Sequence, residues 1–196
     1  MPPWNFWYHV TSNTKSTWLL GDPRGSRTRH HRQHIEGDYK HPPPPGEYGE
    51  LHQRSKSLLK NPPVILSMQQ RLIACEKFAE AMNFHKICFE DIAITSKHFH
   101  VLAQFPPDRV MSNGRPIMDA PRHYIGIAKK ESARALSKLG LKPQGATWAE
   151  KSHPEPIEDE GHWEYVKNVY IPRHYHEGGA IYTIHIAKTR PAPEQY

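Results

Sequence analysis

Apolar and polar positions alternate most clearly in "HFHVLAQF" (98–105). Phe99, Val101, Ala103 and Phe105 share one side of an extended chain there, and His98, His100, Leu102 and Gln104 share the other. That period of two predicts a strand with one side in a core. The aromatic and β-branched runs 4–11 ("WNFWYHVT"), 84–95 ("FHKICFEDIAIT") and 178–186 ("GGAIYTIHI") predict three more strands. "TSK" (95–97) predicts a tight turn into the histidine strand. The period shifts to that of a helix in three places. Ser67, with Gln70 completing a capping box, opens a helix whose stripe is Leu72, Cys75, Phe78, Ala79 and Met82. Asp119 and Pro121 open a second helix that runs to Gly140, with Ile125, Ala128, Leu136 and Leu139 available to pack. Acidic Glu158, Asp159 and Glu160 suit the positive end of a third helix over 162–171. The stretches 106–116 and 142–160 predict loops, the latter around a short strand at 147–149.

This order of elements predicts a ferredoxin-like or RRM-like α+β fold: one antiparallel sheet with helices on one face, plus a C-terminal helix. Residues 1–186 are expected to form one domain, and 187–196 a flexible tail. Within the domain, 21–61 has no period and carries "PPPP" (42–45), so a basic, Pro- and His-rich loop or extension is expected.

Composition narrows the class. The chain has 196 residues, 37% of them hydrophobic, and a net charge of +6, which suits a polyanionic partner. The two cysteines, Cys75 and Cys88, lie in apolar contexts and read as buried small hydrophobes, which argues against a disulfide framework or a cysteine zinc site. The first ten residues lack the basic and apolar regions of a secretory signal, and no apolar run reaches the length of a membrane span. A soluble, cytoplasmic protein without a membrane partner is therefore expected. Fifteen histidines raise the prospect of metal or phosphate chemistry.

His98 and His100, about 6–7 Å apart along one strand face, suit a shared divalent ion. The same pattern alone also fits half-exposed strand histidines. Tyr170 and His174 stand at i and i+4, on one face of a helix if helical geometry holds. A third imidazole and a phenol beside the strand pair would make a coherent phosphoryl-transfer site, in which the ion polarises a phosphate oxygen and the tyrosine attacks in line.

"KHFHVLAQF" (97–105) resembles the His-hydrophobic-His motif of the HUH endonucleases, and the order of elements resembles the single-tyrosine transposases, including REP-associated tyrosine transposases. "TWLLGDPRG" (17–25) is similar to a "TWLPGDPRG" loop of such relatives, "KKESARAL" (129–136) to their basic helix, and "YIPRH" (170–174) to their final Tyr-Ile-x-x-Gln or Tyr-Ile-x-x-His. Together the matches span most of residues 4–186. The resemblance implies a metal-dependent endonuclease and strand transferase acting on single-stranded or hairpin DNA through a covalent phosphotyrosine. Tyr170 would be the nucleophile, and His98, His100 and His174 would hold Mg2+ or Mn2+. Family members act as monomers or as homodimers, and both states stay open.

The departure is Pro172, which lacks an N–H and crowds the carbonyl four residues back, so a kink or helix end is expected there and the alignment of His174 with the ion is open. Tyr165, five residues before Tyr170, is the rival nucleophile, and Tyr175 a weaker one. Arg24, Arg27, Arg29 and Arg32 in the first loop, and Lys129, Lys130, Arg134 and Lys138 on the second long helix, are candidate phosphate contacts. Trp4, Trp7 and Trp18 are candidate stacking surfaces. Each has a structural alternative, since helix lysines often form a solvated face and strand tryptophans a core. Two other functional classes fit less of the chain. A domesticated module that holds hairpin DNA or RNA without cutting it would be expected if Pro172 misplaced the nucleophile. A zinc hydrolase lacks an HExxH pattern.

Overall fold

The computed structural model describes residues 4–25, 35–37, 41–107, 119–176 and 178–183. The polypeptide runs β1 (Trp7–Asn13), α1 (Gly49–Ser57), α2 (Met68–Phe84), β2 (Cys88–Ile94), β3 (His98–Gln104), α3 (Ala120–Lys138), β4 (His153–Pro156), α4 (Glu160–Tyr165), a π turn (Val166–Tyr170), α5 (Ile171–His176) and β5 (Ala180–Thr183). The five strands form one antiparallel sheet in the order β4-β1-β3-β2-β5. Without α1, the first six elements make the β-α-β-β-α-β unit of a ferredoxin-like α+β fold. β5 extends the sheet beside β2.

β3 sits at the centre, and its alternation sorts the two faces as its sequence predicts. Phe99, Val101, Ala103 and the adjoining Phe105 join Val10, Ile92 and Ile94 in the larger core, covered by α2 and α3. Leu102 points the other way, into a smaller cluster with Trp7, Ala93, Ile157, Val166 and Ile171. The long helices therefore cover one face, and the C-terminal helical segment crosses the other. α2 begins at the expected capping box, with Ser67 and Gln70 each satisfying the other's backbone amide. At the start of α3, the Asp119 carboxylate accepts from the Arg122 amide.

Several expectations are corrected. A helix, α1, forms within the segment read as loop. It docks against the 21–25 loop at Gly21, whose φ is +79° and whose Cβ, if it had one, would lie 2.7 Å from the His52 nitrogen and 2.8 Å from the Tyr48 oxygen. Residues 147–149 contribute only a single bridge, between Thr14 and Trp148, while the edge strand beside β1 is β4. Its sequence "HPEP" hid it. Proline removes ladder donors, yet β4 pairs only with β1, and an edge strand tolerates that. Leu72 and Leu139 lie in or beside the long helices but are exposed, because a helical period cannot show where the covering surface ends. Cys75 is buried, as expected, and burial pushes its thiol up to about 12. Cys88, at the start of β2, is exposed. Among the described residues, no helix is long and apolar enough to cross a membrane. The expected tail lies outside the described residues.

Candidate metal centre and tyrosine

The core that holds Phe99 and Val101 turns His98 and His100 to the opposite face of the sheet. Across that face runs the C-terminal helical segment, held down by Val166 and Ile171 in the smaller cluster. Lys167 adds a clamp: its ammonium lies 2.8 Å from a Glu90 carboxylate oxygen and 4.3 Å from the centre of the Trp163 ring. Glu90 sits at the β2 bulge, where the register with β3 shifts.

The break expected at Pro172 takes another form. Pro172 has no N–H for the Asn168 carbonyl four residues back, and its ring crowds that carbonyl. The turn before it widens, so that the Ile171 amide donates to the Val166 oxygen five residues back, and the helix continues to His176. A turn closed over five residues brings positions about five apart onto one side. Val166 and Ile171 are accordingly both buried, and the Tyr165 and Tyr170 rings lie 6.1 Å apart. At the far end of α5, the Gly179 amide donates to the His174 carbonyl at 2.7 Å. A side chain at Gly179 would meet that oxygen at 2.5 Å, so the close return of the chain requires glycine.

The result is a cluster of imidazoles. The His100 and His174 rings stack 4.2 Å apart and 9° from parallel, and His98 meets them edge-on at 4.9 and 5.0 Å. One ring nitrogen from each of the three lies within 4.8 Å of those of the other two, a grouping able to hold a metal ion. The Tyr170 ring closes one side, 5.3 Å from His100 and 5.5 Å from His174. Tyr165 stands farther out and is 45% exposed, while Tyr175 packs against His176.

A fourth histidine, His9 on β1, was not a candidate from the sequence. It is buried, stacks on His100 at 5.1 Å, and its Nε2 hydrogen-bonds with His100 Nδ1 at 2.9 Å. The Tyr170 ring lies 5.3 Å from His9 as well. Burial, helped by the nearby His162, His174 and His153, lowers His9 to about 4. Burial also pushes His100 well below its ordinary value, with His174, His9 and His98 adding to the effect. Both rings are therefore neutral near pH 7, the state in which an imidazole can bind a metal. His100 Nε2, the nitrogen not engaged by His9, is buried without a hydrogen-bond partner among the described residues. An imidazole held at one nitrogen with the other facing a cluster of donors fits a metal ligand.

The basic candidates divide. Arg27, Arg29 and Arg32 lie outside the described residues. Arg24 is engaged in its own loop: its guanidinium donates to both carboxylate oxygens of Asp22, at 2.8 and 2.6 Å, and lies over the Trp18 ring at 4.4 Å. Lys129 turns into the fold, donating to the Ser12 hydroxyl and to the Glu150 and Lys151 carbonyls, and burial pushes it down to about 8. Lys130 and Arg134 are exposed, the latter paired with Glu131. Trp7 belongs to the smaller cluster, with Trp4 packed against it.

Comparison of the chain with protein-family models, with curated proteins and with solved structures finds no match.

Proposed function

We propose that this protein is a cytoplasmic, metal-dependent endonuclease and strand transferase for single-stranded or hairpin DNA, with Tyr170 as its nucleophile. One observation carries the reading: a phenol flanks three imidazoles that come from β3 and α5 and whose donor atoms lie within 4.8 Å of one another. The resemblance of "KHFHVLAQF" and "YIPRH" to the motifs of single-tyrosine transposases supplies the substrate class.

His98, His100 and His174 would hold the ion, and three imidazoles serve Mn2+ better than the all-oxygen preference of Mg2+. When bound, such an ion supplies Lewis-acid polarisation of a non-bridging phosphate oxygen. His9 would orient His100: its Nε2 engages His100 Nδ1, and the tautomer in which His100 Nδ1 donates would leave His100 Nε2 able to hold the ion. Tyr170 attacks phosphorus, forming an ester bond to its phenolic oxygen as the bond to the departing sugar oxygen breaks. The phenol's proton leaves to water or a neighbouring imidazole, and the departing oxygen takes one up. One phosphodiester is exchanged for another, so the second transfer can rejoin a strand without an external energy source.

The test is a denaturing gel of the protein mixed with labelled hairpin oligonucleotides in Mn2+, Mg2+ or EDTA. A metal-dependent, heat-stable adduct is expected with the native chain and with Tyr165→Phe, and none with Tyr170→Phe. An adduct that survives in Tyr170→Phe removes the nucleophile assignment. Hairpin binding in EDTA with no adduct in any metal replaces the enzyme with a binding module.

A further inference from the structure

A cleft of about 800 Å³ opens between the 21–25 loop, α1 and the turn that leads from β2 into β3, and none of the clustered histidines lines it. Its cations come from separate parts of the chain: Arg24 from the loop, Lys56 from α1, Lys60 from just beyond that helix, and Lys97 from the turn. Asp22, the carboxylate in the lining, is taken up by Arg24. Lys56, Lys60 and Lys97 are exposed, and among the described residues none of them pairs with a carboxylate. The cleft therefore carries an uncompensated positive charge from three ammoniums, which come from α1, the segment after it and the turn before β3. The lining also carries apolar surface from Leu19, Pro62, Pro63 and the 55%-exposed Ile65, beside polar groups such as Thr17 and Asn61.

Several cations sharing a cleft with aliphatic surface suit a chain that repeats a negative charge and carries flat apolar groups between the charges. A lone phosphate would leave the aliphatic surface unused. A duplex would keep its bases stacked away from the walls. An unpaired nucleic-acid strand meets both requirements. The placement relative to the histidines is fixed by the backbone. Lys97 directly precedes His98, and its carbonyl accepts from the Thr14 amide at 2.8 Å and from the Thr17 hydroxyl at 3.2 Å. Lys97 therefore joins the cleft to the strand that carries His98 and His100.

We infer that the cleft is a second subsite, which binds the unpaired strand flanking the phosphate that reacts at Tyr170. The inference rests on the proposed DNA chemistry and is tested apart from it. Two labelled hairpins are compared, one trimmed to the reacting step and one extended on both sides by ten unpaired nucleotides. Affinity is measured against salt for the native protein and for Lys56→Glu/Lys60→Glu and Lys56→Arg/Lys60→Arg. The native protein is expected to favour the extended hairpin about tenfold or more. The Glu pair should lose that preference and flatten the salt slope by about 1.4, roughly 0.7 for each phosphate contact. The Arg pair should retain both, and adduct formation on the trimmed hairpin should be the same in all three. A Glu pair that still prefers the extended hairpin overturns the subsite, even if adducts form. Flank-dependent binding without any adduct overturns the nuclease and leaves the subsite standing.

Discussion

His9 is the residue on which the candidate site turns and the one that its own segment does not advertise. A histidine in "WYHVT" is an ordinary strand residue until β1 pairs with β3 and brings its Nε2 to 2.9 Å from His100. Replacing it with Phe keeps the stacked ring and removes the hydrogen bond, so Mn2+ affinity, measured by calorimetry, should fall about 10–100-fold. His9→Gln, which retains a side-chain polar partner, should restore most of the loss. An unchanged affinity in His9→Phe would show that His100 needs no orienting partner. The same burial makes stability depend on pH. His9 falls from an ordinary value near 6.5 to about 4 on folding, so the unfolded chain takes up the proton first. Stability in the presence of a chelator should be complete above about pH 6.5 and decline as the pH falls towards 4, by on the order of 3 kcal/mol from this residue. Denaturant unfolding across that range, native against His9→Gln, reads the contribution as the difference between the two slopes.

At the scale of elements, the π turn decides where Tyr170 and His174 sit. It is one residue longer than an α-helical path between the same anchors, Val166 and Ile171, both of which are buried. Replacing Pro172 with Ala restores an N–H for the Asn168 carbonyl, and closing the turn as an α-helix without removing a residue would rotate α5 by about 100° relative to α4. The tyrosine and third imidazole would then leave their positions. The expected outcome is at least a tenfold loss of Mn2+ affinity with cooperative unfolding retained, read by calorimetry and circular dichroism. Retained affinity would mean that the buried anchors Val166 and Ile171, and not Pro172, hold the π turn. The strand histidines and their face were legible because a period of two leaves no other arrangement. The π turn was not, because Pro172 announces a disturbance but not which turn absorbs it.

At the scale of the molecule, the sheet separates the main core from the candidate site. One face carries the large core beneath α2 and α3, and the other carries the histidines beneath the short C-terminal helices. An ion held by His98, His100 and His174 would tie β3 to α5 and so join the C-terminal segment to the sheet. Mn2+ at a hundred times its dissociation constant should stabilise the native fold by about 2.7 kcal/mol. A thermal or denaturant transition that moves in the native protein but not in His98→Ala/His100→Ala would establish the tie. Equal shifts in both would place the ion elsewhere.

The sequence by itself determined the period-two face of β3 and the capped start of α2, and it singled out His98, His100, His174 and Tyr170 as candidates. These are set by neighbours along the chain, where spacing alone decides which side chains share a surface. Only the tertiary structure decided that His9 supports His100, that Lys129 turns inward while Lys56, Lys60 and Lys97 share a cleft, and that "HPEP" is an edge strand. Each of these depends on contact between segments far apart in the chain, set by strand pairing and by which surfaces remain uncovered, and no local pattern encodes that outcome.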